Sequence, residues 1–171
     1  MARHPIRVVS LIGMPGSGKS TVGILLAKRL GLAFVDTDLL IQEQEQATLA
    51  EIIAVKGHEA LRAIEEQVVL DMNIGASSVV STGGSAVYSE AIMNRLSSTS
   101  SVIYLRSQLA TVEYRISLAP DRGIASPGSD TLEEVYNERV PLYERYADIT
   151  LDVDSESPET ISEKIASALG S

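Results

Sequence analysis

Residues 13–20 read Gly-Met-Pro-Gly-Ser-Gly-Lys-Ser, the spacing G-x-x-x-x-G-K-[ST] of a loop that holds phosphate. Glycines let successive backbone N–H groups turn toward one point, and a helix starting directly after the loop aims its positive dipole end there. Lys19 can then reach the β- and γ-phosphates, and the Ser20 hydroxyl is a hard oxygen ligand for Mg2+. Guanine-reading proteins with this loop are expected to carry an Asn-Lys-x-Asp segment, and the chain has none. The apolar run 79–80, which continues Ser81-Thr82-Gly83-Gly84, also lacks the acid that ends such a strand in many ATPases. The acids stand instead in Asp36-Thr37-Asp38. A carboxylate is a pure acceptor, suited to gripping a diol or orienting an attacking hydroxyl. Asp36 has a plainer alternative as the cap of the next helix.

These residues need a frame that brings them together. Short apolar runs at 6–12, 33–35, 78–81, 101–105 and 149–153 alternate with helical patterns at 19–30, 37–73, 89–96, 108–117, 131–146 and 158–169. That alternation predicts an α/β fold, a parallel sheet with helices on both faces. Ligands in such folds bind outside the carboxyl ends of the strands, where both the 13–20 loop and Asp36-Thr37-Asp38 would lie. The run Ile149, Leu151, Val153 alternates with polar residues and predicts an edge strand. Thr48 with Glu51 and Thr131 with Glu134 have capping-box spacing, and Pro158 suits a first helical position. Residues 119–130 mix Pro, Gly and Ser without periodicity and predict a mobile loop.

The 171 residues suit one domain, with no linker or repeat. Fourteen basic against 23 acidic residues give a net charge of −9. That balance argues against nucleic-acid or anionic-membrane partners. No cysteine is present, which removes disulfides, thiolate metal sites and a cysteine nucleophile. No run approaches the ~18 apolar residues of a membrane span. The opening stretch lacks the cleavage pattern of a signal peptide and reads as a buried strand, so a cytoplasmic protein is expected. A small chain with a phosphate loop and an arginine-bearing flexible loop points to a kinase of small molecules.

Six segments in order carry a resemblance: GMPGSGKSTVG, FVDTD, LRAIE, STGG, DRG and RVPLYERYAD. Through them the chain resembles the shikimate kinases over nearly its whole length. The resemblance implies a three-layer P-loop kinase fold with a five-stranded parallel sheet, a mobile lid near 115–130 and a substrate-binding helical region near 37–73. It implies ATP with Mg2+, a small acid as substrate, a monomer, and a place in aromatic amino-acid biosynthesis. Gly13, Gly16, Ser17, Gly18, Lys19, Ser20 and Thr21 would contact ATP, with Arg115 and Pro158 around the adenine. Ser20 and Asp36 would serve the metal, and Lys19, Asp38 and Arg122 the chemistry. Asp38, Arg62, Gly83, Gly84 and Arg139 would bind the acceptor, the arginines through its carboxylate, with Glu65 orienting Arg62. Arginine's planar fork suits that bidentate task.

The chain departs from the pattern at four places. Ser85 replaces a third glycine, Gly123-Ile124-Ala125 follows the lid arginine, and Ile53 and Leu61 stand where phenylalanines commonly wall the pocket. Phosphoryl chemistry survives these changes, but they widen the choice of acceptor. A gluconate-type sugar acid is one alternative to shikimate. A nucleotide-binding regulatory protein that has lost turnover is another.

Overall fold

The computed structural model describes residues 8–75, 77–119 and 130–170. The strand Val8–Ile12 (β1) is apolar and buried throughout, apart from the small Ser10, so it occupies the middle of the sheet. Ser78–Ser81 (β3) pairs with it on one side and Ser101–Arg106 (β4) on the other, both parallel. Ala33–Asp36 (β2) adds outside β3, and Ile149–Asp152 (β5) adds outside β4. The order is β2-β3-β1-β4-β5, the expected five-stranded parallel sheet. β5 lies at an edge, with Ile149 and Leu151 half-buried and Thr150 and Asp152 exposed, as its alternation predicts.

The period of two along the strands separates two cores. Val9 and Leu11 with Ile103 and Leu105 face Lys19–Leu30 (α1) and Pro158–Ala168 (α8). Ile12, Val102 and Tyr104 point the other way, into a core shared with Glu90–Thr99 (α5), Leu109–Ser117 (α6) and Leu132–Tyr146 (α7). Helices therefore cover both faces.

The helical pattern at 37–73 resolves into three helices rather than a continuous one. Thr37–Glu45 (α2) ends where Gln46 turns left-handed at φ 52. Leu49–Lys56 (α3) begins with a full capping box, in which Thr48 Oγ1 accepts the Glu51 N–H (3.2 Å) and Glu51 Oε2 accepts the Thr48 N–H (2.7 Å). Gly57, at φ 86, divides α3 from His58–Asp71 (α4). Hydrophobic periodicity runs through both breaks because all three helices bury one face in a single cluster, Ile41, Ile52, Leu61 and Val68.

The loops that matter emerge at the carboxyl edge of the sheet. β1 runs into residues 13–18, β2 ends at Asp36, and β3 leads into Thr82-Gly83-Gly84. Thr82 ties two of these together, since its Oγ1 donates to the Leu11 carbonyl at 2.9 Å. Of the lid expected near 115–130, residues 120–129 lie outside the described residues, Arg122 among them. No helix among the described residues is long and apolar enough to cross a membrane.

Replacing Thr48 by Ala removes the side-chain half of the α3 cap. The expected loss is about 1 kcal/mol of unfolding free energy. Urea titration should show it as a lower midpoint with an unchanged slope.

Candidate active site

The phosphate loop is shaped by backbone conformations that suit glycine. Gly18 caps α1 at φ 91 and offers no side chain, so no side-chain cap bond covers the amino end of that helix. Its first-turn N–H groups and dipole are thus presented to the loop. Lys19 is only 7% exposed, and its Nζ donates to the carbonyls of Gly13 (2.7 Å) and Met14 (2.8 Å). Ser17 is buried, and its N–H closes a turn on the Met14 carbonyl at 3.1 Å. Arg115 reaches in from α6, its Nη1 donating to the Gly16 carbonyl at 2.8 Å. Pro158 is the first residue of α8, after the Ser157 cap. Thr21, in the first turn of α1, lines the same cavity as Gly16, Gly18 and Lys19.

Asp36 caps α2, the plainer use its position suggests, and also meets Ser20, the other residue expected to serve the metal. Its Oδ1 accepts the Asp38 N–H at 2.9 Å and caps α2, while its Oδ2 accepts the Ser20 hydroxyl at 2.6 Å. Two adjoining oxygen donors beside a phosphate loop suit Mg2+, which keeps much of its shell as water and phosphate oxygen. Among the described residues no group of three or more His, Cys, Asp or Glu could form an all-protein cage.

The cavity has a volume of about 760 Å3 and runs from this loop to a second wall. Asp38, Gly83, Gly84 and Arg139 all line it, so the structure brings the phosphate side and most of the acceptor-side candidates into one space. The two glycines are required by crowding. A Cβ on Gly83 would lie 2.9 Å from Asp38 Oδ1 and still nearer Glu65 Oε1. A Cβ on Gly84 would lie 2.7 Å from Pro15 Cδ and 2.9 Å from Arg139 Nη1. Leu61 also lines the cavity, whereas Ile53 packs partly buried against the cluster behind it.

Arg139 has no exposed surface. It stands on α7, which runs on through Pro141. One turn later Tyr143 stacks on Tyr104, with ring centroids 5.1 Å apart, and donates to the Gly84 carbonyl at 2.6 Å. Burial pushes the Tyr143 hydroxyl well above its ordinary range, so it stays a donor. Arg62 comes from α4 and does not line the cavity. Its Cζ lies 4.1 Å from the centre of the Tyr88 ring.

Ser85, the departure from three glycines, turns its hydroxyl to Glu65 Oε2 at 2.5 Å. Glu65 is itself 3% exposed. Burial pushes its carboxyl up to about 7, against the pull of the Ser85 hydroxyl. The Asp38 charge adds to the rise, and Arg139 and Lys19 oppose it. Ser85 stands out in the sequence as the residue in place of a third glycine, whereas little there singles out the tyrosines Tyr88 and Tyr143 as parts of the site. Of these two, Tyr143 alone carried a signal, being four residues after Arg139 and so on the same helical face.

A family model described as shikimate kinase matches residues 15–170. A shikimate kinase of Vibrio cholerae serotype O1 is 34% identical over 165 residues, 95% of each chain. Shikimate kinase 1 of Yersinia enterocolitica is 36% identical over 169 residues, covering 96% of this chain and 97% of that one. The solved structure of shikimate kinase from Acinetobacter baumannii in complex with shikimate superposes with a TM-score of 0.89 at 26% identity. That superposition covers 96% of this chain and 93% of the other.

Glu65 should dominate one part of the pH dependence of stability. The folded protein holds its proton more tightly than the unfolded chain, whose value is near 4.5. The contribution is fully present below about pH 4.5 and is lost as pH rises through about 7. Relative to Glu65→Gln, the wild type should lose on the order of 3 kcal/mol across that window. Denaturant titrations of both proteins at pH 4.5, 6 and 7.5 check it.

Proposed function

The chain belongs to the shikimate kinase family, and on that premise we propose that its cavity transfers the γ-phosphoryl group of ATP to a hydroxyl of shikimate, giving shikimate 3-phosphate. This is a step of aromatic amino-acid biosynthesis. The observation that carries the reading is the meeting, in one cavity, of a phosphate loop with Asp38 and a fully buried arginine, Arg139. The near full-length identity to shikimate kinases supports the same acceptor.

In this reading the 13–18 backbone and the amino end of α1 receive the ATP phosphates, and Lys19 exchanges the Gly13 and Met14 carbonyls for phosphate oxygens. Thr21 lies against the same phosphates, and Arg115 and Pro158 flank the adenine. Ser20 and Asp36 would hold Mg2+, which when bound neutralises charge on the β- and γ-phosphates. Arg139, on the cavity wall, binds the acceptor carboxylate; Arg62, outside that lining but sharing the Tyr88 ring with Arg139, is assigned to the same carboxylate, and Gly83 and Gly84 leave the acceptor ring room to approach. Asp38 accepts a hydrogen bond from the attacking hydroxyl and orients it. The new O–P bond forms as the bond from the γ-phosphorus to the bridging oxygen breaks. ADP leaves with that electron pair, and the hydroxyl proton passes to Asp38 or to water. Arg122 is assigned the charge clamp over the moving phosphoryl group. Little covalent chemistry is asked of the protein; positioning and fixed charge supply the rate. We assign the chain as a monomer of the cytoplasm with small-molecule partners, its charge of −9 offering nucleic acid little attraction.

ADP release from MgATP should be measured with shikimate, with gluconate and without acceptor. Shikimate-dependent turnover is expected. Arg139→Lys keeps the charge but loses the fork, and should lower kcat/KM for shikimate by at least about tenfold. Turnover with gluconate alone would overturn the acceptor, and ATP binding without any turnover would overturn the activity.

A further inference from the structure

Binding one carboxylate with two arginines poses a problem that the arginines cannot solve alone. Like charges held close together repel, and each guanidinium hangs on a long side chain with many rotamers to lose. Arg62 and Arg139 also come from different helices, α4 and α7. The Tyr88 side chain touches both. Tyr88 ends the short 3-10 turn Ala86–Tyr88, which follows directly on Gly83-Gly84-Ser85. Arg62 Cζ lies 4.1 Å and Arg139 Cζ 5.0 Å from the centre of its ring, both within cation–π range. Arg139 Nε also donates to the Tyr88 hydroxyl at 3.2 Å. Tyr88 is half-buried and does not itself line the cavity, so its influence on the acceptor passes through the arginines.

We propose that Tyr88 is a positioning residue for acceptor binding: its ring and hydroxyl hold Arg62 and Arg139 side by side in the arrangement that receives the acceptor carboxylate. The inference rests on the reading of these arginines as the carboxylate anchor. The ring's negative face moderates the repulsion between the two cations, and the hydroxyl fixes the rotation of one of them. Charged groups also act on Arg139: the Glu65 carboxyl attracts it while accepting the Ser85 hydroxyl, and Asp38 stands beside Glu65 at Gly83. Tyr88 adds to them an aromatic face within reach of both guanidinium groups.

The test compares shikimate with its methyl ester, which keeps the hydroxyls and lacks the carboxylate. Tyr88→Leu should raise KM for shikimate about tenfold, because both cation–π contacts and the hydroxyl acceptor go. The same variant should move kcat, KM for ATP, and kcat/KM for the ester by less than about twofold. Tyr88→Phe keeps the ring and volume and should raise the shikimate KM by roughly two- to threefold, through loss of the Arg139 hydrogen bond alone. If the Leu variant fails to fold, the Phe variant decides. An unchanged shikimate KM, or an equal fall in efficiency with acid and ester, overturns the proposal. Arg139→Lys, run beside them, separates two failures. If it too leaves the shikimate KM unchanged, the anchor assignment falls and the proposal with it. If it raises that KM while the Tyr88 variants do not, only the role of Tyr88 falls.

Discussion

Arg139 carries a permanent positive charge and has no surface in contact with bulk water, and the acceptor half of the cavity is arranged around that fact. A buried charge is costly unless neighbouring groups replace its hydration. Here the replacement is distributed. The Tyr88 hydroxyl accepts from Nε, and the Glu65 carboxyl, the Gly84 backbone and the Tyr143 hydroxyl complete the surroundings. Glu65 is costly to bury in its own right, and the Ser85 hydroxyl offsets part of that cost. What looks in isolation like a missing glycine is therefore one more donor in the network.

The phosphate half obeys a different rule. It relies on the end of a helix and on backbone groups more than on buried side-chain charge, and Lys19 is its one deeply placed cation among the described residues. The two halves meet at Gly84, wedged between Pro15 of the phosphate loop and Arg139 of α7. A catalyst that works by positioning needs its two substrates held against a common rigid element, and this backbone supplies it.

Much of this was legible in the chain because the carrying signals are local. The phosphate loop is contiguous, the central strands are uniformly apolar, and β5 alternates. Helix starts at Thr48, Thr131 and Pro158 were marked by their own residues. The division of 37–73 into three helices was harder, because Gln46 and Gly57 break the backbone without breaking the apolar stripe. Tyr88 and the Ser85–Glu65 bond were out of reach for another reason. Tyr88 and Arg139 are 51 positions apart, and Ser85 and Glu65 are 20 apart, so only the folded chain shows that they touch. Family resemblance supplied Arg62 and Arg139, whose local surroundings would equally suit an exposed ion pair for the first and a helix-end charge for the second.

Asp36 has a consequence for where the chain can change length. One of its oxygens is fixed to the start of α2 and the other to the first turn of α1. The connection from β2 into α2 thus has no spare residue. Inserting even one would turn the carboxylate away from Ser20 or strip the cap from α2, and deleting one would do the same. Gly75, between α4 and β3, instead has open space around it. Insertions and deletions that spare the site belong in connections of that kind, so an added tag or a grafted loop has a natural place on this scaffold and a forbidden one.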